Sequence, residues 1–182
     1  MKCFAITLPN NSLALRQFER CRNIAANFGI IVEKFDAIVG QTLTIKDFEK
    51  EGLNLLPNTN IYKKPKFLGT FMSHYILWKL CASDNENYVI LESDAVLTES
   101  IPNLDLSSHV IKLHLDKGTE TSKVTGTWSK GSYAYAISPR LAQRLIDGIK
   151  AKNVKPSDVC IGDSIVPWRH YHIDLVRHIA TV

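Results

Sequence analysis

The first forty residues constrain the fold most. "CFAITL" (3–8) is a short apolar run stopped at Pro9, the pattern of a buried strand followed by a turn. Ser12 caps a predicted helix on which Leu15, Phe18, Ala25 and Phe28 share one face, and Gly29 ends it. "IIVEKFDAIVG" follows as a second strand. Strand, helix and strand within about 35 residues have the spacing of a parallel βαβ unit. The expectation is an α/β fold with a mostly parallel central sheet. A chain of 182 residues, 45% hydrophobic and 22% charged, has material for one compact domain over 1–182 and little room for two.

The remaining pattern agrees with that class. "QTLTIKDFEKEGLNLLPNTNIYKKPKF" predicts a small helix and a long loop, in which Lys63, Lys64 and Lys66 fit a solvated linker better than a phosphate contact. "GTFMSHYILWKLCAS" carries Phe71, Ile76 (or Tyr75), Leu77 and Leu80 at helical intervals. Strand-like stretches follow at "YVILESD", "HVIKLHL" and "GSYAYAIS". The last runs into a well-marked helix with Ser138 as cap, Pro139 at the first position, and Leu141, Leu145 and Ile149 on one face. There are no repeats and no low-complexity tracts.

"YVILESDAVLTES" (88–100) turns from apolar to acidic at Glu92 and Asp94. In open α/β sheets ligands gather at the carboxyl ends of strands, which is where these two acids fall. In an extended segment positions 92 and 94 project to one side. Hard oxygen donors at that spacing suit Mn²⁺ or Mg²⁺, which in turn bind diphosphate oxygens. Taken alone, an E-x-D pair fits the start of a surface loop equally well. "ESDAV" is also close to the D-x-D-x-[TV] signature of haloacid-dehalogenase-type phosphotransferases, but Glu92 stands where that chemistry needs its nucleophilic Asp, and the motif lies mid-chain.

Charge and cysteine usage narrow the partners. Twenty-two Lys plus Arg against eighteen Asp plus Glu leaves +4, suited to a phosphate-bearing ligand and short of a nucleic-acid-binding signature. Cys3, Cys21, Cys81 and Cys160 stand alone, without C-x-x-C or zinc spacing, which favours a reducing compartment. The N-terminal apolar run is too short for a signal peptide, and no stretch approaches the roughly 20 apolar residues of a membrane span. The expected setting is cytoplasmic, with peripheral membrane contact left open.

Several segments together, "FDAIVG" (35–40), "LGTFMSHYILWKL" (68–80), "YVILESDAVL" (88–97) and "GSYAYAISPRLAQRLI" (131–146), resemble in this order the blocks of glycosyltransferase family 25. That family includes lipooligosaccharide and collagen galactosyltransferases. The resemblance covers nearly the whole chain to about residue 160, and ordered blocks are more specific than any single motif. It implies a GT-A fold and transfer of a hexose, galactose by preference, from a UDP-sugar to a saccharide or glycolipid acceptor. It implies that Glu92 and Asp94 hold Mn²⁺ (or Mg²⁺), with His178 completing the set. The family's "L-E-D-D" has Ser93 at its third position here, one carboxylate fewer. The nucleotide-sugar side would be lined by Leu8, Pro9, Arg16, Ala37, Gly40, Ser73, His74, Glu92 and Ser93. A solvated Arg16 and a structural His74 are the competing uses.

The resemblance also implies inversion at the sugar carbon, which requires a general base for the acceptor hydroxyl. Pro156 and Asp158 match the family's Pro-x-Asp, so Asp158 is the first choice and Asp163 the reserve; capping of a short helix is the competing use of Asp158. Gly131, Tyr133 and Tyr135 would wall the acceptor pocket. Strict alternation in "SYAYA" would put both rings on one face, for sugar stacking or for core packing. The alternative to an enzyme is a degenerate GT-A domain that binds a nucleotide sugar or a partner without turnover, suggested by Ser93 and the short tail.

Overall fold

The computed structural model describes residues 1–55, 64–114, 131–162 and 165–178. The chain runs β1 (Lys2–Thr7), α1 (Ser12–Ala26), β2 (Val32–Asp36), a 3₁₀ turn (Gly40–Thr42), α2 (Ile45–Lys50), α3 (Pro65–Asp84), β3 (Tyr88–Glu92) and β4 (Ala95–Leu97). It continues through β5 (Val110–Lys112), β6 (Ala134–Ile137), α4 (Pro139–Lys150), α5 (Ser157–Cys160), β7 (Trp168–His170) and β8 (Val176–His178). Among the described residues six strands form one sheet in the order β2-β1-β3-β6-β5-β7. All run the same way except β6, which is antiparallel to both its neighbours. The mostly parallel α/β sheet expected from the sequence is the one observed.

Side chains alternate across this sheet into two apolar layers. On one face Ile6, Tyr88, Ile90, Val110, Tyr135 and Ile137 pack under α3 and α4. On the other Cys3, Ala5, Val89, Leu91, Ile111, Ala134 and Ala136 pack with α1 and the small β4–β8 pair. α1 therefore crosses from β1 to β2 over one face, and α3 leads from β2 back past β1 to β3 over the other. The two crossovers diverge between β1 and β3, and a crevice opens at the carboxyl ends of those strands.

Two helices differ in detail from the sequence expectation. The cap of α1 is Asn11, one residue before Ser12; its side chain accepts a hydrogen bond from the Ala14 amide at 2.9 Å. The buried stripe is Ala14, Phe18, Cys21 and Ala25, so Leu15 falls outside it and is 36% exposed. In α4 Ser138 and Pro139 open the helix and Leu141, Leu145 and Ile149 are buried as expected, although the Ser138 side chain makes no capping bond.

α3 approaches the 3₁₀ turn backbone against backbone. A Cβ added to Gly69 would stand 2.5 Å from the Ile38 carbonyl oxygen and 2.8 Å from the Gly40 amide nitrogen, and one added to Gly40 would collide with the Pro65 carbonyl. Backbone cannot yield as a flexible side chain can. Gly69→Ala is therefore expected to cost about 3 kcal/mol of stability, with the urea midpoint reporting the loss. Gly29→Ala, with nothing within 4 Å but a φ of 71°, should cost only the left-handed strain of about 1 kcal/mol.

Candidate active site

A cavity of about 520 Å³ fills the crevice between β1 and β3. The end of β1 contributes Ile6 and Leu8, and the first turns of α1 contribute Asn11, Ala14 and Gln17. The segment after β2 supplies Ala37, Ile38, Gly40 and Gln41. α3 presents Lys66, Gly69, Thr70, Ser73 and His74, and the end of β3 presents Glu92, Ser93 and Asp94. Leu8, Ala37, Gly40, Ser73, His74, Glu92, Ser93 and Asp94 are thus brought together. Pro9 is absent from the lining. Arg16 sits on the outer side of α1 with Leu15, Glu19 and Arg20. Once Asn11 sets the helix phase, Ala14 and Gln17 face inward and Arg16 is turned about 100° away.

The end of β3 is held between two strands. The Glu92 amide donates to the Tyr133 carbonyl at 2.7 Å, and the Ser93 amide to the Ile6 carbonyl at 3.1 Å. Residues 93 and 94 form a turn rather than continuing the strand, yet both acids face the same cavity. Burial first, and the Asp94 carboxylate second, push the Glu92 carboxyl from its ordinary 4.5 up to about 7; Lys66 opposes that rise and Asp158 adds to it. A cation beside Glu92 would relieve this strain directly.

Among the described residues no group of three or more His, Cys, Asp or Glu is arranged to hold a metal. Two carboxylates do fit the way Mg²⁺ is commonly bound, through one or two protein oxygens with substrate phosphates and water filling the rest. β8 pairs antiparallel with β4, and its register sets His178 opposite Ala95, the neighbour of Asp94. The His178 side chain falls outside the described part of the chain.

Ser73 and His74, adjacent on α3, are both 0% exposed. The Ser73 hydroxyl donates to the Gly69 carbonyl at 2.7 Å and accepts from the Ile38 amide at 2.9 Å, which ties α3 to the segment after β2. Burial holds the His74 imidazole down at about 3, so the ring is neutral. Its Nδ1 lies 2.8 Å from the Tyr135 hydroxyl, which also accepts from the Trp78 indole at 2.8 Å.

The Tyr residues expected in the acceptor wall separate. Tyr135 is 0% exposed in the α3–α4 layer, whereas Tyr133 packs with the opposite layer and stacks on His114 at a centroid distance of 3.9 Å. The strand begins at Ala134, after Gly131 with φ 84°, so strict alternation does not extend back to Tyr133. Gly131 itself is fixed from two sides. Its carbonyl accepts from the buried Lys112 ammonium at 2.7 Å, and its amide donates to Asp158 at 3.4 Å. Asp158 also accepts from the Val159 amide at 3.0 Å, near the start of α5. Asp163 lies outside the described residues.

Asn11, Gln17 and Thr70 line the cavity as well; so does Lys66, which the sequence pattern assigns to a solvated linker, because α3 already begins at Pro65 and carries it to the cavity. The signal existed for α3, since positions 66, 69, 70 and 73 recur at helical spacing on one face. For α1 it required the cap residue.

Residues 11–113 match the family model described as glycosyltransferase family 25 (LPS biosynthesis protein). No curated protein sequence matches the chain. Among solved structures, the galactosyltransferase LgtC in complex with donor and acceptor sugar analogs superposes with a TM-score of 0.53 at 13% identity, over 93% of this chain and 73% of that one. A glycosyltransferase involved in glycosylation of the major capsid of PBCV-1 gives 0.43 at 10% identity; it aligns with 80% of this chain, which spans 65% of that protein's length. The LgtC likeness shows a GT-A type of fold. Since the family match takes in more than half of the chain, the protein belongs to glycosyltransferase family 25.

Proposed function

We propose that this chain transfers a hexose, galactose by preference, from a UDP-sugar to the hydroxyl of a saccharide or glycolipid acceptor, with inversion. The observation that carries the proposal is the desolvated Glu92 beside Asp94 on the wall of the switch-point cavity. Mn²⁺ or Mg²⁺ bound there would be held by Glu92 and Asp94 and would neutralise the donor's diphosphate. Lys66, which lines the same cavity from α3 and acts electrostatically on Glu92, would add positive charge for the diphosphate. The uracil and ribose would lie toward Leu8, Ala37 and Gly40.

In the transfer step the acceptor oxygen forms a bond to the anomeric carbon as that carbon's bond to the diphosphate oxygen breaks. The acceptor's proton passes to the Asp158 carboxylate, and the bonding pair leaves with UDP. Asp158 is anchored by the Gly131 and Val159 amides and is close enough to affect Glu92 electrostatically. Ser93, where the family has a further acid, predicts weaker metal binding. It also favours the second reading, a domain that binds UDP-sugar without turnover. Among the described residues no helix is long and apolar enough to cross a membrane; a cytoplasmic enzyme meeting glycolipid at a membrane surface is the setting proposed.

UDP with Mn²⁺ at about 100 times Kd should raise the melting temperature by about 5 °C or more, and either alone by much less. Asp94→Ala should abolish the joint shift; a shift that survives it would remove Asp94 from the metal site. Asp158→Asn should leave that shift intact and slow transfer about 10²- to 10⁴-fold. Wild-type binding with no transfer or hydrolysis of any UDP-sugar would instead establish the non-catalytic reading.

The Glu92 carboxyl also sets a pH dependence. In the metal-free protein it is raised from 4.5 to about 7, so the native state holds a proton that the unfolded chain releases. That contribution is complete below pH 4.5 and lost as pH rises through about 7. Urea titrations should show a decline of about 1–3 kcal/mol across this window, flattened in Glu92→Gln and reduced by saturating Mn²⁺.

A further inference from the structure

A line of buried polar side chains runs from the core behind the cavity to the helix that carries Asp158. Trp78 Nε1 lies 2.8 Å from Tyr135 Oη, and Tyr135 Oη 2.8 Å from His74 Nδ1. His74 Nε2 lies 3.5 Å from Ser132 Oγ, which is 2.9 Å from Ser157 Oγ. Trp78, Tyr135 and His74 are each 0% exposed, Ser132 6% and Ser157 3%. Ser157 immediately precedes Asp158 in α5.

The direction of the hydrogen bonds follows from one donor. An indole N–H can only donate, so Tyr135 Oη accepts it. The single hydroxyl hydrogen of Tyr135 must then find its own acceptor, because leaving it buried and unused costs about 1–3 kcal/mol. His74 Nδ1 is the acceptor at hand. A neutral imidazole that accepts at Nδ1 carries its hydrogen on Nε2, which points to Ser132, and Ser132 passes its own hydrogen to Ser157. All four bonds run in one sense, and bonds in such a chain polarise and strengthen one another.

We propose that Tyr135 and Trp78 are positioning residues that hold His74 as the Nε2–H tautomer, and that His74, through Ser132 and Ser157, sets the position of Asp158. The effect on turnover rests on Asp158 being the base; the tautomer does not. This assigns a role to two side chains without access to the cavity, and it makes α3 the element that joins the two sides of the site.

The test is imidazole ¹⁵N NMR on the full chain, together with UDP binding and transfer rates. Wild-type His74 should show a protonated Nε2 and an unprotonated Nδ1. In Tyr135→Phe that tautomer should be lost or mixed, with UDP affinity within about twofold of wild type and transfer slowed about 10- to 100-fold. Ser132→Ala, which cuts the chain beyond His74, should keep the tautomer and still slow transfer. A wild-type His74 protonated on Nδ1 overturns the proposal even if no variant folds. So does a Tyr135→Phe protein with an unchanged tautomer or an unchanged rate. If wild type neither binds UDP nor transfers sugar, the functional assignment fails, and the tautomers of wild type and Tyr135→Phe decide the positioning proposal by themselves.

Discussion

Two backbone hydrogen bonds at the end of β3 set the geometry on which the site depends. The Glu92 amide reaches across to Tyr133, the residue just before β6, and the Ser93 amide to Ile6 in β1. The strand is thereby clamped at the point where apolar sequence becomes acidic. Its carboxylates are delivered into the crevice that diverging crossovers leave open. Without that clamp the Glu92 side chain would be free to swing to solvent, and the desolvation that lifts its pKa would disappear. The two acids on the cavity wall take their position from this fixed end.

The clamp creates a conflict that the fold does not relieve among its own described residues. Glu92 is desolvated next to Asp94, and Lys66 acts against the resulting rise in pKa. A purely structural position would favour an apolar residue there, because an isolated buried charge is strongly destabilising. Local choices that contradict stability while everything around them is consistent are expected at functional positions. Ser93 lessens the conflict by removing one potential charge. It leaves a site with fewer metal oxygens, and the cation's hold then depends more on the diphosphate it shares.

Much of this arrangement was legible in the sequence because local rules and tertiary structure agree there. The βαβ opening, the buried β3 and the Ser138–Pro139 start of α4 each appear where short-range pattern puts them. The differences have separate local causes. With Asn11 rather than Ser12 as cap, the buried stripe of α1 takes Ala14 in place of Leu15; Arg16, implied only by the family resemblance, lies on the outer side of the helix while Gln17 lines the cavity. Alternation across "SYAYA" failed at Tyr133 because the strand had not yet begun. β4, β7 and β8 are three residues each, too short to carry a period; their pairing is decided by partners far along the chain, such as Leu97 with Val176.

What no local pattern reveals is why a Ser and a His should be adjacent on α3. Neighbours on a helix point about 100° apart, so the pair addresses two different parts of the fold. Ser73 turns to the Ile38 amide beyond β2, and His74 turns to Tyr135 on β6, 61 residues along the chain. One helix thus grips both flanks of the switch point with two fully buried polar side chains. Their hydrogen bonds are directional where apolar packing is not, so they specify register as well as proximity. A binding motif read as ligand contacts can therefore serve by fixing the frame. Gly69, one turn earlier, lets the helix come close enough to the segment after β2 for Ser73 to accept from the Ile38 amide. The spacing of glycine, serine and histidine in "GTFMSH" follows from backbone approach and two hydrogen bonds, before any ligand is considered.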